Sequence, residues 1–398
     1  MREFWAALTG ELRAVRNDRG ALLVLVGAVL LYAFFYPLPY LPEVLKEVPV
    51  AVVDADHSAL SRQLLRMANA HELVAVRFHV TSLAEAEALV RAGRAGGILF
   101  IPNGFERSVR RGESAGVGVY TDAAYFLVHR QGLTGLAEAV ATLSAGVELR
   151  RLRAAGLSDA QARAARDPAP LLLRPLFNPA EGYASYIVPA VLVLILQQTL
   201  LIGIGLLAGT ARERGGAGMS VSPLAWTLGR ATFYLGLYGL HTLVYFSVVV
   251  RVFDVPNRGR PGALAAFALP FLLAVIFLGL ATSHLFRRRE TAIQGLLVTS
   301  LPAVFLAGFS WPPEALPRWL RWGSCLLPST LGTAGFLRLD QMGATLGEVR
   351  GEWLGLWGLA AGYFLLAWLL ARRRGGGKPA LPPGGLRIRS DGCCGRGT

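Results

Sequence analysis

Charge is scarce in this chain. Asp, Glu, Lys and Arg make up 17% of its 398 residues against 53% hydrophobic ones, and the mean hydropathy of +0.45 is too high for a water-soluble globule of this length. Cysteine is scarcer still: Cys325 and the adjacent Cys393 and Cys394 supply no disulfide framework. No GxxxxGK[ST] phosphate loop occurs, because "GGGKPA" lacks both the spacing and the hydroxyl that should follow the lysine. That route to ATP hydrolysis is therefore closed to the chain on its own. His57, His71, His79 and His129 show no ligand spacing, and the sequence assigns no catalytic, metal or cofactor-binding residue.

What is present is long apolar runs. Residues 21–41 supply about the twenty needed to cross a hydrocarbon layer of roughly 30 Å, too many for a signal-peptide core, so they read as an uncleaved anchor. Further runs at 186–208, 231–250, 263–286, 292–309 and 353–371 bring the expected total to about six. The net charge of +14 comes from arginines at the ends of these runs, a pattern that orients membrane helices and argues against nucleic acid as a partner. Arg13, Arg16 and Arg19, then Arg212 and Arg214, then Arg287 to Arg289, then Arg372 to Arg374 all fall on one side under six-span parity. Both termini are then cytoplasmic. The loop "RVFDVPNRGRP" dissents, with Arg251, Arg258 and Arg260 on the other side.

Residues 1–20 precede the first run. Phe4, Trp5, Leu8, Leu12 and Val15 recur there at helical spacing, with Arg2, Glu11, Arg13 and Arg16 on other faces. This is the pattern of a helix lying on a lipid surface.

Residues 42–183 differ in composition and suffice for one small domain. "VPVAVVD", "ELVAVRFHV", "GGILFIP" and "GVGVYTD" read as strands. "SALSRQLLRMANA", "LAEAEALVRAG" and the stretch from Phe126 to about Gly156 read as helices. The expected fold class is a mainly α-helical membrane protein with a mixed α/β domain between its first and second spans, on the periplasmic side. "DADHS" begins like a calcium loop but lacks its glycine and final glutamate, so Asp56 or Ser58 is expected to cap a helix there. The tail, 375–398, is expected to be disordered and cytoplasmic.

The spans 184–374 hold few polar residues. His241 is titratable at mid-span, a substrate ligand or proton relay on one reading and a histidine hydrogen-bonded between packed helices on the other. Gln197 and Gln198 either line a polar path or pair across a helix interface. From about 308 to 330, Pro312, Pro313, Pro317 and Pro328 alternate with Trp311, Trp319 and Trp322. Prolines break helices and tryptophans favour the interface, so a re-entrant or interfacial hairpin is expected on the outer side. Phe309, Trp311, Pro312, Glu314, Pro317 and Trp319 form its candidate gate.

"TARERGGAGMSVSP" interrupts two of the most apolar runs. An arginine at mid-membrane costs about 2.5–3.5 kcal/mol on insertion scales. Arg212, Glu213 and Arg214 must therefore lie outside the hydrocarbon.

Seven stretches in order resemble the permease subunits of type-2 ABC exporters, in the branch with a large periplasmic domain between the first two spans. They are "ELRAVRND", "VAVVDADHSALSRQL", "AGGILFIPNGFERSVRRGE", "YTDAAYFL", "FNPAEGYASYIVPA", "ARERG" and "GFSWPPEALPRWLRWGSCLLPST" with "GFLRLDQMGA". The resemblance runs from about Gly10 to Arg374. It implies a multi-pass protein of the bacterial inner membrane, without ATPase activity or cofactor. The implied assembly pairs two permease chains, identical or different, with two cytoplasmic ATPase subunits. It also implies that Arg212, Glu213, Arg214 and Gly215 belong to a loop docking on the ATPase. The outer domain would meet substrate or a periplasmic adaptor protein. The loop departs from the family pattern, being shorter, glycine-rich and without a second acid after Glu213; either coupling through it is weaker, or the chain pairs with a second, different permease that holds the better loop. Two other readings compete: a membrane-anchored sensor or assembly scaffold, and a proton-coupled secondary transporter.

Overall fold

The computed structural model describes residues 1–215 and 221–375, with side chains to Arg373. The middle of the charged loop, and the tail with Cys393 and Cys394, lie outside the described residues.

In chain order, α1 (Arg2–Asn17) precedes α2 (Arg19–Tyr40), which contains a wider π turn at Leu23–Ala28. Then come β1 (Val48–Asp54), α3 (Ala59–Ala70), β2 (Val74–Val80), α4 (Leu83–Arg91), β3 (Gly97–Ile101), α5 (Phe105–Arg111), β4 (Gly118–Thr121), α6 (Phe126–Ala154) and α7 (Asp159–Arg166). The remainder is helical: α8 (Tyr183–Glu213), α9 (Pro223–Val252), α10 (Pro261–Thr282), α11 (Arg289–Leu306), α12 (Arg318–Ser324), α13 (Pro328–Asp340) and α14 (Arg350–Gly375). Two compact units result, Pro42–Ala180 and the rest of the chain.

The smaller unit is a four-stranded sheet in the order β2-β1-β3-β4. β1 pairs parallel with β2 and β3, and β4 runs antiparallel to β3. β1 is apolar along most of its length because helices cover both its faces. Val48, Val50 and Val52 pack with Leu64 of α3 and Leu136 of α6, whereas Ala51 and Val53 face Ala86 of α4. All four expected strands and three expected helices form; α5 and α7 are additional. "DADHS" is a capping device. Ser58 Oγ accepts from Ser61 N at 3.0 Å at the start of α3, and Asp56 Oδ2 accepts from Glu106 N at 3.0 Å at the start of α5. No group of three or more metal-ligating side chains occurs among the described residues.

Among the described residues of the larger unit, five helices are long and apolar enough to cross a membrane: α2, α8, α9, α10 and α14. α11, the sixth expected span, starts with Arg289 and Glu290, which dilutes its apolar length. It nevertheless runs antiparallel along most of α8. Gly209 of α8 lies against Arg289, Gly205 against Leu296 and Ala292, and Ala190 shares a cluster with Ala303 and Ala307. α11 thus reaches as far across the unit as α8 does over that stretch.

α8 is the central helix. Its 31 residues, roughly 46 Å at 1.5 Å per residue, are apolar on every side because neighbours surround it. Phe336 of α13 anchors the core between α9 and α10, stacked on Phe246 at 4.8 Å and edge-on to Phe267 and Phe271 of α10. One expectation needs correcting. α9 begins at Pro223 rather than near 231, which brings Arg230 inside the helix.

Candidate functional site

One group of charged residues in the larger unit gathers at the end that carries α1. Its amphipathic sequence folds as expected, yet Glu11, expected on a polar face, is 7% exposed. The cause is α9. Its first turns approach α1 so closely that a side chain at Gly229 would lie 2.7 Å from the Phe4 carbonyl and the Ala7 methyl. Only glycine permits that backbone contact. It leaves Glu11 facing Arg230, with Oε1 to Nη2 at 2.5 Å, and the Tyr234 hydroxyl donates to the same carboxylate. The guanidinium of Arg230 also lies 4.7 Å above the Trp226 ring. At the other end of α1, Glu3 accepts from Ser222 N at 3.1 Å. The hydrogen bonds from Ser222 hold the Glu3 carboxyl below its ordinary range.

A second group of ties radiates from Asp18, which is 5% exposed. Its Oδ1 accepts from Gly20 N and Ala21 N and so caps α2. Its Oδ2 accepts from Thr210 Oγ1 of α8 at 3.2 Å and from Arg289 Nη1 of α11 at 3.3 Å. The charged loop joins the same system. Arg212 Nη2 donates to the Ser283 carbonyl at 2.9 Å, just past α10, and Glu213 Oε1 accepts from Arg289 N at 2.8 Å. Glu213 thereby places negative charge on the amino terminus of α11, where the exposed N–H groups and helix dipole favour it. Arg214 is exposed, and Gly215 turns the chain out of α8 with φ +77.

The polar residues expected at mid-span are not brought together. His241 Nε2 lies 3.0 Å from the Leu25 carbonyl, in the π turn of α2. Gln197 makes two bonds to Ser329, Nε2 to Oγ at 2.9 Å and Oε1 from N at 2.7 Å. Gln198 Oε1 is buried without a partner among the described residues. A cavity of about 910 Å³ opens between α9 and α10, lined by apolar residues including Phe246, Leu264 and Phe336, with Arg251, Asp254 and Asn257 at its polar end.

The proline-rich segment follows α8 in depth. Tyr186 donates to the Phe309 carbonyl, Ser329 reaches the level of Gln197, and α13 then returns until Gln341 donates to the Ser185 carbonyl. Between these points Trp311 and Trp319 are 55% and 74% exposed, and Pro312, Glu314 and Pro317 are exposed as well.

Sequence reading missed Asp18, Arg230 and Arg289 as site residues. An arginine eight residues into an apolar helix was the available signal, since such a charge needs a partner.

A sequence profile described as ABC-2 family transporter protein matches residues 19–369. The chain belongs to this family. It is 26% identical over 155 residues, 38% of this chain and 42% of the relative, to a protein named probable multidrug ABC transporter permease YbhR of Escherichia coli strain K12. The same figures hold for the protein so named from Escherichia coli O157:H7. A shorter match, 28% over 97 residues, covers 24% of this chain and 13% of the ABC transporter G family member 20 of Dictyostelium discoideum. The chain spans less than half the length of the curated relatives it matches.

Proposed function

We propose that the chain is the membrane subunit of an ATP-driven exporter of the bacterial inner membrane. It acts as one of two permease chains beside two cytoplasmic ATPase subunits, with both termini in the cytoplasm. The observation that carries this reading is the continuous set of ties from α1 through Glu11–Arg230 to α9, and from Asp18 and Glu213 to α8 and α11. A push on α1 or on the loop after α8 is passed to four membrane helices as one body. The family match and the relatives' printed names, both ABC transporter permeases or transporters, support the same assignment.

On this reading Arg212 and Glu213 brace the loop from within. Arg214, exposed beside them, is left for the ATPase. The arginines at this end, Arg214, Arg287, Arg288, Arg372 and Arg373, support a cytoplasmic side for it. The Pro42–Ala180 domain is then periplasmic and meets substrate or an adaptor. Because a relative is named a probable multidrug permease, small amphipathic compounds are the first substrates to assay.

The test is co-expression with ATPase subunits, followed by purification and transport into inside-out vesicles. ATP-dependent uptake that fails when α1 is deleted, with the remaining chain still inserted, is the expected result. A stable chain that recruits no ATPase and moves nothing on ATP addition would overturn the reading.

A further inference from the structure

Asp340 closes α13 and is fully buried, at 0% exposure. Neither carboxyl oxygen has a hydrogen-bond partner among the described residues. A buried carboxylate without partners is costly, because it gives up its hydration and gains nothing in return. The same group as a neutral acid is far cheaper to bury.

The burial is built. Asn257 Oδ1 accepts from Gly259 N, and Asn257 Nδ2 donates to the Phe246 carbonyl, which fixes the turn before α10. That turn is pressed on the end of α13. Arg258 N donates to the Asp340 carbonyl at 2.6 Å, and a side chain at Gly259 would meet the Asp340 Cα at 3.1 Å. Gly259 and Phe336, one helical turn before Asp340, both line the cavity between α9 and α10. Water from the far end needs only a small separation of this turn from α13 to reach the carboxyl.

Charge on the surrounding elements does not relieve the burial. Beside α10 stand Arg258 and Arg260, at the end of α9 Arg251 and Asp254, before α8 Glu181, and on α13 itself Arg338. Arg338 is taken up by Glu352 of α14 at 2.8 Å and by the Glu348 carbonyl. Glu348 is engaged by Thr345, Arg350 starts α14, and Tyr183 and Tyr186 start α8. The charged residues of α11, Arg289 and Glu290, lie at its opposite end. Burial alone pushes the Asp340 carboxyl up, to about 7. α13 has 13 residues, too few to span a membrane.

We propose that Asp340 is a proton-binding site of the far end, neutral while α13 is packed on the turn before α10 and releasing its proton to the outer water when that packing opens. The O–H bond breaks, the electron pair stays on the carboxylate and the proton goes to solvent. The packed state binds the proton more tightly than the opened one, so acid favours packing. The packing equilibrium falls about tenfold for each unit the pH rises from the ordinary carboxylate value near 4 towards 7, and is flat above it.

Amide hydrogen exchange over residues 254–260 and 328–341 of the full chain in lipid nanodiscs reads this without any transport, so it stands or fails separately from the exporter reading. After correction for intrinsic rates, protection in the unaltered chain should drop about tenfold per unit between pH 5 and 7 and then level off. Asp340→Asn and Asp340→Leu, one polar and one apolar, should both be flat. A flat profile in the unaltered chain, or the same slope in either variant that folds, overturns the proposal.

Discussion

Arg230 and Glu11 stand 219 residues apart in sequence and meet as a buried ion pair at 2.5 Å. The pair fastens a helix read as lying on the membrane surface to one that enters the membrane. It works as a fastener because neither charge has another place to go. Glu11 is held in by the Gly229 crossing, and Arg230 is sandwiched between the carboxylate and the Trp226 ring.

Removing one member leaves the other charge buried and unpaired, so Arg230→Met or Glu11→Leu alone should destabilise the chain by about 3–5 kcal/mol. The double variant Glu11→Leu/Arg230→Met should recover most of that loss, since it buries no charge at all. Thermal unfolding of the four proteins in detergent closes the cycle. Additive single effects would mean that the pair does not hold α1 in place.

The α/β unit was legible because strand alternation and helix periodicity are local signals, and the capping role of "DADHS" followed from what a calcium loop would have needed. The membrane runs were legible for the same reason. The ties were not. Glu11 looks like any polar position of a surface helix, and its burial depends on Gly229 and Arg230 two hundred residues away. The apolar run reads as beginning at residue 231, just past Arg230, and only the partner removes the expense of an arginine within the helix. Glu213 reads as a residue for a partner protein, and nothing local in the sequence shows that its Oε1 also accepts from Arg289 N at the start of α11.

Glu213→Gln tests that last point. The variant keeps the shape of the side chain but weakens the charge-assisted bond to Arg289 N by about 1–2 kcal/mol. Exchange at the first amides of α11 should rise severalfold while the amino-terminal half of α8 is unchanged. If instead ATPase binding is lost with no change at α11, Glu213 serves the partner directly.

The close packing of α8 on α11 predicts a steric effect. At Gly209 a β-carbon would lie 2.6 Å from Arg289 N and 2.7 Å from the Arg288 carbonyl carbon, both backbone. Gly209→Ala should therefore cost about 1–3 kcal/mol by overpacking. Gly236→Ala, where nothing lies within 4 Å, should be neutral or stabilising by up to about 1 kcal/mol through helix propensity. Paired unfolding measurements separate the two; equal effects would contradict the antiparallel contact.

In the smaller unit, Asp56 and Glu106 cap each other's helices: Asp56 accepts from Glu106 N, and Glu106 accepts from Ala59 N at 3.2 Å. Asp56→Ala and Ser58→Ala should each cost about 1 kcal/mol. Calcium should leave the melting temperature of both variants and of the unaltered chain unchanged. A calcium-dependent rise would restore a metal role for "DADHS".

Gln197 makes the last prediction, because among the described residues it is the one expected mid-span polar residue that bonds twice to a single partner, Ser329. The bonds hold the start of α13 at the depth of mid-α8, where the chain turns back after its proline-rich descent. Gln197→Leu leaves Ser329 N and Oγ without their partner in a buried site, at a cost of about 1–3 kcal/mol. Its consequence is local. Exchange at the first turn of α13 should rise by an order of magnitude or more, and the Trp319 and Trp322 emission should shift as the segment above it loosens. Gln197→Asn with Ser329 retained shortens the reach by one methylene and should show the same loss, whereas a path-lining role for Gln197 would leave α13 protected and change only what passes.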